Sequence, residues 1–290
     1  CIRDSMEALA TGYGLVEGPL WVAGRGLLFS DVLNGGVFCI DPHGAVTSVF
    51  EHRRGIGGMA LHEANGLVVS GRNVSCKPFD GGATVTIMDS DPDAGIVGFN
   101  DLTTDAAGRI YAGSLGSSPV FEDGREPAAG ELWLIDLDGS HRPVAPDIRL
   151  TNGLGFSPAG RTLYHSDSGV RSVNCYTVAD NGDLGPKEVF VQTSEGVPDG
   201  LCVAQDGSVW VALAGGGHGV AVYAADGTRQ DFLEIPVPMC TSVCFGGNDL
   251  KDLYVVSGSD GTGRDNAGTI YRERVGVAGV PVAPARVALR

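Results

Sequence analysis

Short runs that alternate apolar with small or polar residues recur along the whole chain, and glycine-containing turns separate them. The stretch NGLGFSPAGRTLYHSD (152–167) is typical, with one extended run, a turn at 157–160 and a second extended run. Alternation with a period of two is typical of β-strands. No segment shows a sustained helical period. The pattern therefore predicts an all-β chain built from hairpins.

The strand–turn–strand unit occurs six times, and each copy begins with a pair of small or polar residues, which we call the opening pair. The first members of these pairs are Glu17, Gly57, Asn100, Asn152, Asp199 and Thr241. Several strands in a period of about 40 to 50 residues are typical of a β-propeller blade. We therefore predict one domain over residues 1–290, a six-bladed β-propeller. A solenoid is the competing repeat architecture, although its periods are usually shorter and more regular.

Propeller topology also predicts a functional face. The opening pair begins the innermost strand of each blade, so the six pairs converge on the mouth of the central channel. Loops after each second strand return to this side, which we call the mouth face; we predict them at 30–36, 71–83, 114–130, 166–172, 213–219 and 257–267. Ring closure is left open, because residues 1–16 and the C-terminal tail both have an extended pattern.

Four of the six opening residues carry a carboxylate or amide oxygen. Brought together on the axis, Glu17, Asn152 and Asp199 offer hard oxygen donors, which suit Ca²⁺, Mg²⁺ or Mn²⁺ better than structural Zn²⁺. Asn and Asp before Gly are also common turn formers, so one copy alone would favour a turn. Recurrence at the same position in four copies favours a site. Glu17 has no turn preference, and a carboxylate among apolar neighbours is costly without a partner.

Composition narrows the classes of partner. The chain has 35 acidic and 20 basic residues and a net charge of −15, which argues against nucleic acid or an anionic membrane as partner. Seven cysteines without short regular spacing predict neither a disulfide framework nor a thiolate zinc site. There is no membrane-spanning apolar run and no signal-peptide pattern at 1–16, so we expect a cytoplasmic location. The oligomeric state is not predicted.

An ordered set of motifs covers nearly the whole chain. It consists of EGPLW, FNDLTTDAAGRIYAGS, GELWLID, TNGLGFSPAGRTLYHSDS, VPDGLCVAQDGSVWVAL and TSVCFGGNDLKDLYV. The set resembles the family of senescence marker protein (regucalcin), gluconolactonase and luciferin-regenerating enzyme. This resemblance implies a six-bladed propeller with one divalent metal ion in the central channel. Ca²⁺ is the first choice for that ion, with Mg²⁺, Mn²⁺ and Zn²⁺ as alternatives.

The resemblance also implies roles for individual residues. Glu17 of EGP, Asn152 of TNGL and Asp199 of PDG match the metal ligands of the family. Asn100 of FND resembles a substrate-contacting residue near the metal. Glu126 of EPAAGELW lies where the sugar-lactonase members have a substrate-contacting carboxylate, although the loop before it varies.

The chain departs from the family pattern at one position. The sugar-lactonase members have an arginine two residues before the Asn of the ND motif, where this chain has Gly98. This puts a gluconolactone-like substrate in doubt and leaves the metal ligands unaffected. Arg72, His218 and Arg264, on loops of the mouth face, are candidate replacement donors; the alternative is that each is simply a solvated loop residue.

These observations predict a divalent-metal-dependent lactone hydrolase that acts on a small-molecule lactone. The ion would polarise the lactone carbonyl, and Asp199 would act as general base toward the attacking water. Neither GxSxG nor HExxH occurs, so direct attack by water is favoured over an acyl-enzyme. Two alternatives stay open: hydrolysis of phosphotriesters or other esters at the same metal site, and a non-catalytic Ca²⁺-binding propeller.

Overall fold

The computed structural model describes residues 6–121 and 124–290. Regular structure in these residues consists of 24 β-strands and two short 3₁₀ segments, Pro92–Ala94 and Ser168–Val170. Neither segment has the length needed to cross a bilayer, and no other helix occurs in the described ranges. The predicted all-β class is confirmed.

The strands form six four-stranded antiparallel sheets, which are the blades of the propeller. Blade 1 holds Val16–Val22 (β2), Gly26–Asp31 (β3), Val37–Ile40 (β4) and Val46–Phe50 (β5). Blade 2 holds Met59–His62 (β6), Gly66–Val69 (β7), Val74–Pro78 (β8) and Val85–Met88 (β9). Blade 3 holds Gly98–Thr104 (β10), Ile110–Leu115 (β11), Gly130–Ile135 (β12) and His141–Ile148 (β13).

The remaining blades follow the same plan. Blade 4 holds Thr151–Phe156 (β14), Thr162–Asp167 (β15), Ser172–Thr177 (β16) and Glu188–Gln192 (β17). Blade 5 holds Val197–Val203 (β18), Val209–Ala214 (β19), Gly219–Tyr223 (β20) and Arg229–Glu234 (β21). Blade 6 holds Cys240–Gly246 (β22), Asp252–Ser257 (β23), Gly268–Arg274 (β24) and, from the other end of the chain, Glu7–Tyr13 (β1). The predicted six-bladed propeller is confirmed.

The N-terminal strand closes the ring. β1 pairs antiparallel with β24, with Glu7 opposite Arg272 and Tyr13 opposite Gly268. The last blade therefore contains strands from both ends of the chain, and its outer strand comes first in sequence. This pairing settles the question that the extended patterns at the two termini left open.

The C-terminal tail is not a blade strand but a strap across the face opposite the mouth. Val280 N donates to Val203 O at 2.8 Å in blade 5, and Ala285 N donates to Leu61 O at 2.7 Å in blade 2. Arg286 N donates to the carbonyl of Gly108 in blade 3 at 2.8 Å. The tail thus ties together blades that are distant along the sequence and closes this end of the channel.

The core lies between the blades. Buried apolar side chains form six clusters in the described residues, one at each interface between neighbouring blades. At the interface of blades 5 and 6, for example, Val220 packs with Val243 and Leu253, all nearly or fully buried. Sheet faces rich in β-branched and aromatic residues drive this packing, because burial of each such side chain stabilises the fold by about 1.5 to 3 kcal/mol.

The innermost strands share an irregularity at the opening pair. In five of the six described inner strands, the register to the second strand shifts at the opening pair itself: in β2, β10, β14, β18 and β22. A β-bulge of this kind re-aims side chains and is frequent beside functional sites. The repeated bulge therefore turns the opening pairs toward the axis.

One predicted loop is wrong. The interval 71–83 was expected to form a single loop, but it contains β8, in which Val74, Ser75 and Cys76 are buried. Ser75 pairs with Val69 of β7, so the connection on the mouth face is only 70–73. The glycines at 81 and 82 belong instead to the next turn, between β8 and β9. The connection has only four residues, so the sequence pattern did not separate it from the strand that follows.

The strap yields a prediction about stability. Val287 is 1% exposed and packs in the cluster between blades 2 and 3, whereas Val282 on the same tail is 56% exposed. Val287→Ala should lower the free energy of unfolding by about 1 to 3 kcal/mol, because it removes buried methyl groups and leaves a cavity. The matched control Val282→Ala should stay within about 0.5 kcal/mol in urea unfolding. Equal urea midpoints for the two variants would contradict the packing of the C-terminal tail against blades 2 and 3.

Candidate metal centre and active site

The backbone around Glu17 is held by hydroxyl groups from neighbouring segments. Ser30 Oγ lies 3.1 Å from the carbonyl oxygen of Glu17 and 2.7 Å from that of Ile56. Thr241 Oγ1, from the opening pair of blade 6, donates to Val16 O at 2.5 Å. Blades 6, 1 and 2 are thereby joined where Glu17 meets the channel.

A chain of hydrogen bonds joins the opening pairs of blades 3, 4 and 5. Asn100 Nδ2 donates to Asn152 Oδ1 at 2.7 Å and to Thr151 O at 2.8 Å. Asn152 Nδ2 donates to Ser168 Oγ at 2.8 Å, and Ser168 Oγ donates to Pro198 O at 2.6 Å. Pro198 directly precedes Asp199, so the chain connects three of the predicted site residues. Sequence reasoning missed Ser168, because nothing in its motif distinguishes it from a loop serine.

Two of the predicted ligands are carboxylates that lie near each other, Asp199 buried and Glu17 partly buried. Asp199 is 7% exposed, and its Oδ1 has no hydrogen-bond partner in the described part of the chain. Burial raises the pKa of Glu17 well above its usual range, and the negative charges of Asp199 and Asp101 raise it further. Burial likewise raises the pKa of Asp199, with Asp101 as the charged neighbour. Like charges therefore converge on the axis.

Asp101 is a third carboxylate, which sequence reasoning missed. Burial raises its pKa to about 7. Asp101 is the second residue of its opening pair. In a regular strand its side chain would point to the opposite face from that of Asn100. The bulge between Phe99 and Leu102 breaks that alternation.

A sequence signal for Asp101 does exist. The second residues of the other five opening pairs are small: Gly18, Gly58, Gly153, Gly200 and Ser242. A Cβ at Gly58 would collide with Asp101 Oδ1, and one at Gly200 would collide with Ser242 Oγ. The axis is therefore crowded at this level, and only blade 3 places a charged side chain there.

A cavity of about 340 Å³ occupies the channel between this layer and the C-terminal strap. Asp101 lines it together with mainly apolar side chains such as Met59 and Phe156, and the tail residues 280–283 also line it. Glu17, Asn152 and Asp199 are absent from this lining. The three predicted ligands therefore belong to the mouth side of the layer.

The other predicted residues lie on the mouth face without direct links to this cluster. Glu126 is exposed on the segment between β11 and β12, and no hydrogen bond or ion pair in the described residues joins it to Asn100. Arg72, His218 and Arg264 are likewise exposed on loops. The substrate-contact role of Glu126 therefore stays a prediction.

The donor set fits a divalent cation. Among residues 6–121 and 124–290, no group of three or more His, Cys, Asp or Glu side chains is arranged to hold a metal. A site built on Glu17 and Asp199 therefore needs the Asn152 amide oxygen as its third donor. An orphaned Asp199 oxygen and mutually repelling buried acids are the environment that a hard cation relieves.

Comparison with known proteins decides the family. The description "SMP-30/Gluconolactonase/LRE-like region" matches residues 15–259. The chain belongs to this family. It is 31% identical to the pentonolactonase of Haloferax volcanii, over 93% of this chain and 94% of that protein. It is 29% identical to a 6-deoxy-6-sulfogluconolactonase of Pseudomonas putida, over 91% and 92% of the two chains.

A solved structure supports the same fold. The calcium-binding protein regucalcin of Agrobacterium tumefaciens superimposes with a TM-score of 0.83, covering 99% of this chain and 98% of that one at 21% identity. The predicted resemblance to the family is thus confirmed at the levels of sequence and fold.

The raised pKa of Asp101 yields a prediction for the metal-free protein. A carboxyl whose pKa is about 7 when folded and about 3.9 when unfolded binds more protons in the folded state between these values. Its contribution to stability is therefore present below pH 4 and is lost as pH rises toward 7. Asp101→Asn should remove that loss, making the chelator-treated variant more stable than wild type at pH 8 by on the order of 4 kcal/mol.

Urea unfolding at pH 5 and pH 8 in excess chelator measures the effect. Asp265→Asn, an exposed change on a loop of the mouth face, is the control and should leave the difference between the two pH values as in wild type. An unchanged pH dependence in Asp101→Asn would contradict the burial of an unpaired acid at the axis.

Proposed function

We propose that this chain is a divalent-metal-dependent lactone hydrolase, gluconolactonase-like in its reaction. The observation that carries the proposal is the buried Asp199 carboxylate, whose Oδ1 has no partner in the described residues and whose charge raises the pKa of Glu17. The hydrogen bonds that run from Asn152 through Ser168 to Pro198 support Asn152 as a third donor. Relatives that match more than nine-tenths of the chain are named as lactonases, which supports the reaction type. The calcium-binding neighbour agrees with a hard cation.

Glu17, Asn152 and Asp199 would hold the ion, with Ca²⁺ as first choice and Mg²⁺, Mn²⁺ or Zn²⁺ as alternatives. When bound, a divalent cation supplies Lewis acidity toward a carbonyl oxygen and lowers the pKa of water. The bulge in β14 and the hydrogen bond to Ser168 fix the Asn152 amide, so this donor needs little reorganisation to bind an ion.

Asp199 accepts the proton of the attacking water in this proposal. Its Oδ1 is buried and has no protein partner in the described residues, so it is available to a water molecule. A carboxylate that shares a cation stays ionised at neutral pH, which a general base requires.

Asn100 orients the substrate through its oxygen. Its Nδ2 donates to Asn152 and Thr151, whereas its Oδ1 accepts no hydrogen bond from the described residues. Oδ1 lies against Gly57, where any Cβ would collide with it. Asn100 therefore offers an acceptor, and the substrate must present a donor such as a ring hydroxyl.

A pH-indicator assay on purified protein tests the proposal. Aldonolactones, aromatic lactones and a phosphotriester are compared, each with Ca²⁺ and with EDTA. We expect acid release from lactones that EDTA abolishes and added metal restores. Cleavage of the phosphotriester alone would contradict the lactonase in favour of an esterase, and metal binding without any turnover would favour a non-catalytic propeller.

Two variants make the assay specific for Asp199. Asp199→Asn should lower kcat by about 10²- to 10⁴-fold with metal at saturation, because the general base is lost. Asp206→Asn alters an exposed turn in the same blade, where the carboxylate accepts from Ser208 N at 2.9 Å, and should stay within about twofold of wild type. Full activity in Asp199→Asn at saturating metal would refute its role as base.

A further inference from the structure

An open pocket of about 440 Å³ lies on the mouth face, between segments of blades 1 and 2. Its lining consists of three arginines, one amide and one acid: Arg53, Arg54, Arg72, Asn73 and Asp89. The two adjacent arginines follow β5 of blade 1, and Arg72 and Asn73 belong to the short connection between β7 and β8 of blade 2. The pocket therefore assembles from segments of two blades.

Arg53 is a fixed and partly buried cation without an acidic partner. Its Nη2 lies within 2.8 to 2.9 Å of Ser70 O, Asn73 O and Asn73 Oδ1. No carboxylate in the described residues forms an ion pair with it. Burial lowers its pKa, which shows that the charge is held at a cost. A rigid guanidinium that only carbonyl oxygens satisfy is suited to receive an anion on its open side.

The other two arginines are also unpaired with acids. Arg72 is exposed and has no hydrogen bond or ion pair within the described chain, and Arg54 only faces the Phe121 ring at 6.0 Å. By contrast, the described residues contain at least eight other arginines that form ion pairs, which is expected at a net charge of −15. The single acid of the pocket, Asp89, is exposed and accepts from Ser90 N at 2.9 Å. The pocket thus keeps an excess of positive charge.

The pocket adjoins the predicted site through the backbone. Gly71 and Phe99 exchange two hydrogen bonds, at 3.0 and 2.7 Å, and Phe99 directly precedes Asn100. A Cβ at Gly98 would lie 2.9 Å from Gly71 O and 3.8 Å from Arg72 Cα. The glycine at 98 therefore lets the Arg72 connection approach the strand that carries Asn100.

We propose that this pocket binds an anionic substituent of the substrate, so that the preferred substrates are lactones carrying a carboxylate, phosphate or sulfonate group. The inference rests on the proposed lactonase function and defines its substrate class. Guanidinium groups bind such oxyanions through paired, charge-assisted hydrogen bonds. The ring carbonyl lies at the axis while the acidic substituent lies on the arginines, and these orient the ring relative to Asp199.

The first test needs no turnover. Calorimetric titration of chelator-treated protein with inorganic phosphate, and separately with sulfate, should show saturable binding at low ionic strength. Arg72→Gln should weaken this binding at least tenfold. Arg171→Gln removes an exposed arginine from another loop of the same face and should leave it unchanged. Urea unfolding of each variant confirms that the fold is kept.

The second test compares rates on matched substrates. A neutral δ-aldonolactone is compared with the same ring carrying a phosphate, a sulfonate or a carboxylate at its far end, which also shows which oxyanion is preferred. Arg72→Gln should lower kcat/KM about 10- to 100-fold for the anionic lactones, because a charge-assisted contact is lost. The neutral lactone should change less than twofold. Arg72→Lys should restore only part of the loss, because it keeps the charge without the planar fork.

The outcomes separate the two proposals. Anion binding that depends on Arg72, without turnover of any lactone, would support the pocket and contradict the lactonase activity. Turnover of lactones with no anion binding, or with equal loss on neutral and anionic substrates in Arg72→Gln, would overturn the pocket assignment and leave the activity standing.

Discussion

Repulsion between buried and partly buried carboxylates at the propeller axis is the constraint on which the site depends. Glu17, Asp101 and Asp199 come from three different blades, and burial together with their shared charge raises the pKa values of Glu17 and Asp199. Bringing these carboxylates together costs free energy, and the packing of the six blades holds them in place despite that cost. The proposed divalent cation would offset this repulsion by binding between the carboxylates.

The two ends of the chain hold the ring of blades together and leave the central channel accessible from the mouth face. β1 completes the last blade, and the C-terminal strap joins blades 5, 2 and 3 across the opposite face. Because the strap lines the lower end of the central cavity, the route to the predicted ligands is the mouth face. That face also carries the arginine pocket, so the proposed metal site and the proposed anion pocket open on one surface.

Much of this was predictable from the repeat. Counting the opening pairs predicted six blades, and their convergence predicted that Asn100 and Asn152 lie together, as their 2.7 Å hydrogen bond confirms. Asp101 was missed because period-two alternation assigns neighbouring residues to opposite faces, whereas the bulge after Phe99 does not follow that rule.

Other features depend on pairings that a single sequence does not encode. An extended pattern at each terminus does not state its partner, so ring closure was open until β1 was seen beside β24. The pocket was invisible because Arg53 and Arg72 come from different blades and meet only through the connection at 70–73. The metal-ligand roles of Glu17, Asn152 and Asp199, and the substrate role of Glu126, stay predictions.

Calorimetric titration of chelator-stripped protein with Ca²⁺ near pH 7 is the sharpest test of a metal centre at the axis. We expect saturable binding of one ion per chain, with release of protons, because carboxyls of raised pKa must ionise to bind it. In Glu17→Gln the affinity should fall by at least tenfold. Absence of saturable binding, or unchanged affinity in Glu17→Gln, would contradict a metal centre at the propeller axis.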